Sequence, residues 1–378
     1  MDLPVREFSA SGYRSLQKIA YPMSQLDVFV GANGVGKSNL YRGLELLRAA
    51  AANTLGRDLA REGLDLAMWA GPKTYKQPTV SLAVGLEAPG RAGSLYRYEV
   101  EVGFPPKEAS ATFAFEPQVK SETLALVGGT RTVRLLDRHG PSVMVRDEAG
   151  RPTTLDMDIL ASETVLGRLE DPARYPELDA VRRTLLEWRF YHDLRTDADS
   201  VLRRPCVAAA TPTLASDGSD LAAVFATLAY IREDTVDLDS AIAAAFPGAR
   251  LVVNTNGRMT SFGVAFPEFP SRVFEAGELS DGTLRFLSLA GALMAYRLPP
   301  FIALNEPESS LHPDLMEPLA QMVVRAAART QVWLVTHSER LAEAIRRSGA
   351  GAVRTVAKHK GATTIEGLTL LGTFRDDE

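Results

Sequence analysis

The chain has 378 residues, of which 46% are hydrophobic and 24% are charged, and its formal net charge at pH 7 is -5. These ordinary values exclude a disordered chain, and the acidic balance gives no overall argument for nucleic-acid binding, which usually shows as a basic face. The single cysteine, Cys206, excludes a disulfide framework or a multi-thiolate metal site within one chain.

The N-terminal residues contain no basic stretch followed by an apolar run, and no segment approaches the length of a membrane span. Together with the lone cysteine, this predicts a soluble cytoplasmic protein without a membrane partner. The length allows two or three domains, or one α/β domain with a large insertion.

The first functional motif lies at residues 31–38, which read Gly-Ala-Asn-Gly-Val-Gly-Lys-Ser. Asp27 to Val30 predict the end of a buried strand before the motif, and Leu40, Leu44 and Leu47 recur at helical spacing after it. A glycine-rich turn between a strand and a helix directs backbone N–H groups at phosphate. The motif therefore predicts a nucleotide-binding loop, and the flanking strand and helix argue against a bare glycine-rich corner.

Each residue type in this loop has a predicted role. Lys37 would neutralise the β and γ phosphates, and the Ser38 hydroxyl would hold Mg2+. The nucleotide contacts are expected from one continuous run: Asn33, Gly34, Val35, Gly36, Lys37, Ser38 and Asn39.

The elements around the loop follow from hydrophobic periodicity. Residues 5–30 alternate in the manner of strands, and the helix after the loop is predicted to continue to about Arg61. Short alternating runs separated by turn signals then predict an antiparallel β meander, with strands at 80–86, 95–102, 131–136 and 142–145.

Helical periodicity returns over residues 177–191, 220–231 and 238–245, and a hairpin is predicted with its turn at Asn256-Gly257. The arginines within and after the first of these helices are interpreted as a solvated helical face, with a phosphate-contacting patch as the alternative. These arginines are Arg182, Arg183, Arg189, Arg195, Arg203 and Arg204.

The last part of the chain predicts a second α/β stretch, with apolar strands at 301–304 and 332–335. The first strand runs into Asn305-Glu306-Pro307-Glu308, a cluster of the kind that a phosphate-loop protein uses to organise Mg2+ and water. The second strand is followed by His337, at the strand end where ligands gather in parallel sheets.

Between the two halves of the predicted site lies a third motif, Leu279-Ser280-Asp281-Gly282, at the start of an apolar helix. Ser280 and Gly282 offer a hydroxyl and free N–H groups, which together make a second anion site. A plain helix N-cap is the alternative reading.

In combination, these motifs resemble the ABC-type ATPase superfamily, and specifically its SMC and RecF-like branch of AAA-type ATPases, like the "overcoming lysogenization defect" ATPases but without a nuclease domain. The resemblance rests on the phosphate loop, on residues 279–282 as the signature, on residues 304–308 with Leu311-His312-Pro313 beyond, and on His337 as the switch histidine. It covers residues 1–60 and 275–358 well and the middle only loosely. The long separation of Ser38 from Ser280 favours the non-transporter branch.

The resemblance implies an α/β fold: a P-loop ATPase head with a mixed sheet flanked by helices and an inserted antiparallel β and helical lobe. The implied parts are residues 1–61 and 275–378 as the two lobes of the head and residues 62–274 as the insertion. Two copies would close head to tail, with ATP bound by the phosphate loop of one chain and by Ser280, Asp281 and Gly282 of the other.

The resemblance also implies roles in catalysis, with Glu306 as the general base toward water, His337 on the γ phosphate, and Lys37 on the phosphates. The usual Mg2+-steadying aspartate is Asn305 here, which can accept a hydrogen bond from a metal-bound water but adds no charge, so slow turnover is expected. Glu308 is an alternative base, although its position in the family points to a structural role near the dimer seam. The glutamine expected near Mg2+ has no clear counterpart, and Gln77 is only a weak candidate.

The leading hypothesis is a slowly hydrolysing, ATP-gated homodimer that acts on DNA or on a separate effector such as a nuclease, in repair, recombination or anti-phage defence. The segment after His337 is too short for a further catalytic domain, so any effector is expected on another polypeptide. The alternatives are a nucleotide-gated regulatory dimer without useful turnover and, less favoured, a transporter energy subunit.

Overall fold

The computed structural model describes residues 3–72, 78–90, 93–106, 113–128, 131–232 and 235–375. The strands are β1 (Val5–Tyr13), β2 (Leu16–Pro22), β3 (Leu26–Val30), β4 (Thr79–Glu87), β5 (Leu95–Gly103), β6 (Gln118–Gly128), β7 (Arg131–His139), β8 (Ser142–Arg146), β9 (Pro152–Leu155), β10 (Arg189–Tyr191), β11 (Cys206–Val207), β12 (Arg250–Asn256), β13 (Met259–Ala265), β14 (Val273–Glu275), β15 (Phe301–Asn305), β16 (Gln331–Thr336), β17 (Ala352–His359) and β18 (Ala362–Ile365).

The α-helices are α1 (Lys37–Ala51), α2 (Leu55–Glu62), α3 (Leu64–Ala67), α4 (Val165–Arg168), α5 (Pro176–Glu187), α6 (Leu221–Ala226), α7 (Val236–Ala245), α8 (Asp281–Met294), α9 (Met316–Ala327) and α10 (Glu339–Ser348). Short 3-10 turns occupy Val201–Arg203, Ala276–Glu278 and Pro313–Leu315, and a π-helix occupies Thr227–Arg232. Within the described ranges, none of these helices combines the length and the apolar character that crossing a membrane requires.

The chain divides into two compact units. Unit 1 combines residues 1–24, 31–188 and 355–378, and unit 2 combines residues 25–30 with residues 189–354. Each unit is therefore built from segments that are far apart in the sequence.

Unit 1 contains an eight-stranded antiparallel sheet in the order β2-β1-β4-β5-β6-β7-β8-β9. The predicted meander is confirmed, but β6 was missed. This strand places Glu122 on a buried face, fully shielded from solvent, where the pattern of alternation expects an apolar residue. Because Glu122 is polar, the sequence of β6 lacks the alternation of apolar and polar residues by which strands are predicted.

The helix after the phosphate loop is shorter than predicted. Leu40, Leu44 and Leu47 are fully buried, which confirms the helical spacing, but α1 ends at Ala51. Asn53 then adopts a left-handed conformation with φ of 57°, and α2 begins two residues later. A left-handed residue cannot continue a right-handed helix, so the predicted helix to Arg61 becomes two.

Unit 2 contains parallel strands in the order β10-β15-β16-β3. Leu304 pairs with Leu334 and Val30 pairs with Thr336, so the carboxyl ends of β15, β16 and β3 lie along one edge. The buried rings of Phe29 and Trp333 pack with centroids 4.2 Å apart in this sheet. The edge formed by these strand ends positions the polar motifs that follow them.

The prediction of helix over residues 177–191 was wrong at its end. Helix α5 stops at Glu187, and residues 189–191 form β10, in which Tyr191 pairs with Leu304. Long-range strand pairing thus overrides the local helical pattern, as happens with short aromatic runs. The helix over 220–231 also ends early, at Ala226, and the chain continues as the π-helix.

The predicted hairpin is confirmed with its turn shifted by one residue. Asn256 pairs with Met259, so the two loop residues are Gly257 and Arg258. Gly257 has φ of 61°, a conformation that glycine adopts without steric cost and that tight hairpin turns require.

Candidate functional site

The predicted phosphate loop is a tight turn in unit 1 that opens helix α1. Gly36 stands at the N-cap with φ of 101°, and no described side chain caps the helix. Lys37 is 4% exposed, and its ammonium donates to the carbonyl oxygens of Gly31 at 2.6 Å and Ala32 at 2.9 Å. The loop therefore curls around a buried cation, and the start of α1 is left open for an anion.

A chain of directed hydrogen bonds braces this loop. The Asn39 amide donates to the Ser15 hydroxyl at 2.7 Å, Ser15 and Thr363 hydroxyls lie 2.6 Å apart, and the Thr363 hydroxyl donates to the Val35 carbonyl at 2.8 Å. A Cβ atom on Gly36 would lie 1.9 Å from the Thr363 hydroxyl. Ser15 and Thr363 thus shape the loop, and the motif itself gave no signal of either residue.

In unit 2, Asn305 and Glu306 stand where β15 ends. The Glu306 amide donates to the Val335 carbonyl at 2.8 Å, and Glu306 has φ of 49°, which is unusual for a residue other than glycine. The Oδ1 atom of Asn305 is buried, and no described group donates a hydrogen bond to it. An orphaned amide oxygen at this position fits an acceptor for a metal-bound water.

Glu308 and His337 form the second part of this edge. The Glu308 side chain is 5% exposed, and its Oε1 atom accepts from the Thr336 hydroxyl at 2.6 Å and from the backbone amides of His337 at 2.9 Å and Ser338 at 3.2 Å. The Nδ1 atom of His337 lies 3.2 Å from Glu308 Oε1 and 3.8 Å from Glu306 Oε2. Glu308 is thus engaged in holding the turn, while Glu306 and His337 are more exposed to solvent.

The predicted signature lies at the surface of unit 2. Ser280 is exposed and caps α8, because its hydroxyl accepts from the Thr283 amide at 3.3 Å. A Cβ atom on Gly282 would lie 3.0 Å from the carbonyl oxygen of Ser310, so a side chain there would crowd that turn. The N-cap reading is confirmed, and Ser280 is exposed to solvent.

The arginines that offered a phosphate patch are mostly paired with carboxylates. Arg182 contacts Glu170, Arg183 contacts Asp179 at 2.7 Å and Arg195 contacts Asp197 at 2.8 Å. This pairing favours the interpretation as a solvated surface. Arg203 differs, because its guanidinium contacts the signature; its side chain, like that of Arg182, is largely buried.

Metal binding by protein side chains alone has no support in the described ranges, where no group of three or more His, Cys, Asp and Glu residues is arranged to hold an ion. Mg2+ in phosphate-loop proteins is held by few protein ligands together with phosphate oxygens and waters. Within unit 1, the exposed Ser38 residue fits the role of such a ligand, and within unit 2 the orphaned Asn305 oxygen fits an acceptor for a metal-bound water.

The predicted site residues therefore fall into two sets. Unit 1 holds the phosphate loop with Lys37 and Ser38, and unit 2 brings Glu306 and His337 together and holds the signature. Gln77, the weak candidate for a glutamine ligand, lies outside the described residues.

Comparison with known proteins gives a family model and a set of similar folds. Residues 165–343 match the model described as "AAA domain, putative AbiEii toxin, Type IV TA system". The structure is similar to an SMC head bound to the C-winged helix domain of ScpA, with a TM-score of 0.53, 16% identity, and coverage of 97% of this chain and 99% of that one. No curated protein gives a significant match.

A second similar structure is the Smc head domain with an extended coiled coil bound to the C-terminal domain of ScpA derived from Pyrococcus furiosus. It has a TM-score of 0.53, 13% identity, and coverage of 98% of this chain and 97% of that one. The chain is therefore similar in fold to SMC head domains, and residues 165–343 match the AAA-domain family model. These similarities also confirm the predicted α/β fold of a P-loop ATPase head.

Proposed function

We propose that the protein binds ATP with Mg2+, hydrolyses it slowly, and forms a head-to-tail homodimer around the bound nucleotide. The observation that carries the proposal is the meeting of Glu306 and His337 at the carboxyl ends of neighbouring parallel strands, with Oε2 and Nδ1 3.8 Å apart. Strand β3 pairs with β16 in the same sheet, and the chain continues from its end directly into the phosphate loop at Gly31.

Binding would begin at the loop. The Lys37 ammonium would exchange the carbonyls of Gly31 and Ala32 for phosphate oxygens, and the open N-terminus of α1 would add its own N–H groups. Ser38 and, through water, Asn305 would hold Mg2+, which when bound neutralises charge on the phosphate oxygens. Asn305 brings no negative charge to this task, which is the reason to expect slow turnover.

Hydrolysis would use the pair in unit 2. Glu306 would accept the proton of the attacking water, and His337 would contact the γ phosphate from a turn that Glu308 fixes in place. Each group is positioned by backbone contacts that exist without ligand, as preorganised catalysis requires.

Dimerisation would complete the site. Ser280 is exposed at the start of α8, where its hydroxyl and the helix N-terminus can meet a triphosphate held by a second copy. Because each half site is incomplete alone, the binding energy of ATP would drive association and the accompanying conformational change. We propose that this change acts in the cytoplasm on DNA or on a partner effector; the similar SMC heads were crystallised with the protein ScpA.

Replacing Glu306 with glutamine tests hydrolysis against the regulatory alternative, which the uncharged Asn305 favours. We expect wild type to release phosphate from ATP and the variant to bind ATP with little release, since an amide cannot act as the base. Glu343→Gln, an exposed glutamate in α10, is the matched control. A wild type no faster than Glu306→Gln would exclude hydrolysis as the activity and leave the regulatory dimer.

The target is tested separately with DNA fragments, in the presence and absence of ATP. ATP-dependent retention of DNA would support action on DNA. Indifference to DNA in both states would instead favour a partner protein.

A further inference from the structure

Arg203 connects a distant loop to the signature turn. It ends the 3-10 turn Val201–Arg203, and its Nη1 atom donates to the carbonyl of Leu279 at 2.8 Å and to that of Gly277 at 3.2 Å. Its Nη2 atom donates to Asp281 Oδ1 at 2.6 Å. One side chain thus contacts the backbone on one side of Ser280 and the carboxylate on the other.

The same guanidinium is anchored on its own side. The Nε and Nη2 atoms donate to the carbonyl of Thr196 at 2.9 and 2.7 Å, and Nε also reaches that of Asp197 at 3.1 Å. The side chain of Arg203 is only 13% exposed. A planar fork of five donors suits such a bridge, whereas a lysine ammonium could reach only part of it.

The turn before α8 depends on such donors. Backbone carbonyls in an irregular segment lack the partners that a helix or strand provides, and burying them unpaired is unfavourable. Leu279 is buried while the adjacent Ser280 is exposed, so the chain passes from core to surface within one residue. The hydrogen bond from Arg203 to the Leu279 carbonyl holds the backbone where the chain passes from the core to the surface.

Arg203 also compensates a charge. Asp281 is the first residue of α8 and directly follows Ser280, so its carboxylate lies next to the place where a triphosphate would contact the signature. An unpaired carboxylate there would repel the phosphates. The contact with Arg203 offsets this negative charge without occupying the Ser280 hydroxyl.

We infer that Arg203 is a positioning residue for the signature: it fixes the turn that presents Ser280 and the start of α8, and it neutralises Asp281. The inference rests on the proposed function, because the ligand in question is the triphosphate held by a second copy of the chain. It predicts that Arg203 matters for ATP-dependent association and not for the first binding of ATP to the phosphate loop.

The test uses the full chain in the Glu306→Gln background, where ATP persists. Arg203→Ala should weaken ATP-dependent dimerisation, measured by light scattering, by roughly tenfold or more, because hydrogen bonds to a charged group are lost. Binding of a fluorescent ATP analogue to the monomer should change less than about twofold, since a removed contact acts only where its group is used. Arg204→Ala is the matched control, because its guanidinium makes one described hydrogen bond, to the Asp199 carbonyl at 3.2 Å.

Charge and geometry are separated by two further variants. Adding Asp281→Asn to Arg203→Ala should restore part of the ATP-dependent dimerisation, because the unpaired carboxylate is removed. The single variant Arg203→Lys should retain part of the wild-type dimerisation. A purely structural defect would not respond to Asp281→Asn. Dimerisation of Arg203→Ala equal to that of Arg204→Ala, or no recovery with Asp281→Asn, would overturn the inference.

Hydrogen exchange gives a readout that does not need a dimer. Arg203→Ala should speed exchange in the segment 276–285 of the monomer, and unchanged exchange there would also overturn the inference. If the Glu306→Gln parent shows no ATP-dependent dimer, the proposed function fails, and the exchange result still decides whether Arg203 fixes the turn.

Discussion

Replacing Glu308 with alanine tests whether this carboxylate holds the turn that carries His337. Oε1 of Glu308 accepts from the Thr336 hydroxyl and from the amides of His337 and Ser338, at distances of 2.6, 2.9 and 3.2 Å. Alanine removes the acceptor and leaves these donors without it. The Thr336 side chain is itself buried, so it has little access to replacement water.

The size of the effect follows from the kind of bond. Each hydrogen bond to a charged group contributes about 1.5–3 kcal/mol, but deleting the carboxylate also removes the cost of burying it. We therefore expect Glu308→Ala to lower the free energy of unfolding by about 3–5 kcal/mol, the range found for breaking a buried charged contact. For a unit of this size, about 2–4 °C per kcal/mol gives a fall in Tm on the order of 10 °C. Glu308→Gln keeps an acceptor but loses the charge, so a loss of about 1–2 kcal/mol is expected.

Differential scanning calorimetry at neutral pH measures these shifts. The control is Glu343→Ala, because Glu343 is 54% exposed and its ion-pair partner within the described ranges is Arg346, and exposed ion pairs contribute about 0–1 kcal/mol. The expected order of Tm is alanine, then glutamine, then wild type. A Glu308→Ala protein that melts no earlier than the Glu343→Ala control would refute the reasoning.

Thr363→Val should weaken nucleotide binding roughly fivefold, because the Val35 carbonyl loses its hydrogen-bond donor. The control Thr364→Val loses an exposed hydroxyl that donates at 3.3 Å and should leave the affinity unchanged; equal affinities of the two variants in a fluorescence titration would show that Thr363 does not support the loop. Burial raises the pKa of the Cys206 thiol, so the thiolate is scarcer in the folded protein than in the unfolded one. The rate of Cys206 alkylation should therefore begin to increase at a higher pH in the folded protein than in the unfolded protein. Identical pH profiles for the two states would show that burial does not raise this pKa. Asn305→Asp should lower the Mg2+ concentration that half-saturates ATP turnover by about fivefold, because it adds a negative charge near the ion; an unchanged requirement would show that Asn305 is not near the metal.

The parts of the structure that the sequence predicted depend on local chemistry. The phosphate loop follows from glycine conformations and from the flanking strand and helix, and Ser280 was predicted as a possible cap from its position before an apolar helix. The hairpin turn was predicted to within one residue because Gly257 marks it. In each case, the determining contacts span only a few residues.

The parts that were missed depend on contacts between distant residues. Strand β10 exists because residues 189–191 pair with β15, more than a hundred positions away, and no pattern within three residues can report that pairing. Thr363 shapes the phosphate loop from near the other end of the chain. Thr363 is a buried residue of the hairpin formed by β17 and β18, and nothing in the local sequence marks its contact with the loop.

Arg203 and Glu308 illustrate why the sequence alone does not reveal what a charged residue contacts. Arg203 belonged to a group of arginines interpreted as solvated, and Glu308 was predicted as an alternative base or as a structural residue near the dimer seam. In the structure, each hydrogen-bonds backbone groups of an irregular turn. Turns that carry exposed functional residues lack the hydrogen-bond ladders of strands and helices, so a buried ion of suitable sign can replace them. The Arg203 guanidinium donates to the carbonyls before Ser280, and the Glu308 carboxylate accepts from the amides at His337. If both turns are fixed before ATP arrives, little ordering cost remains at the moment of association, and more of the binding energy of ATP is available to hold two copies together.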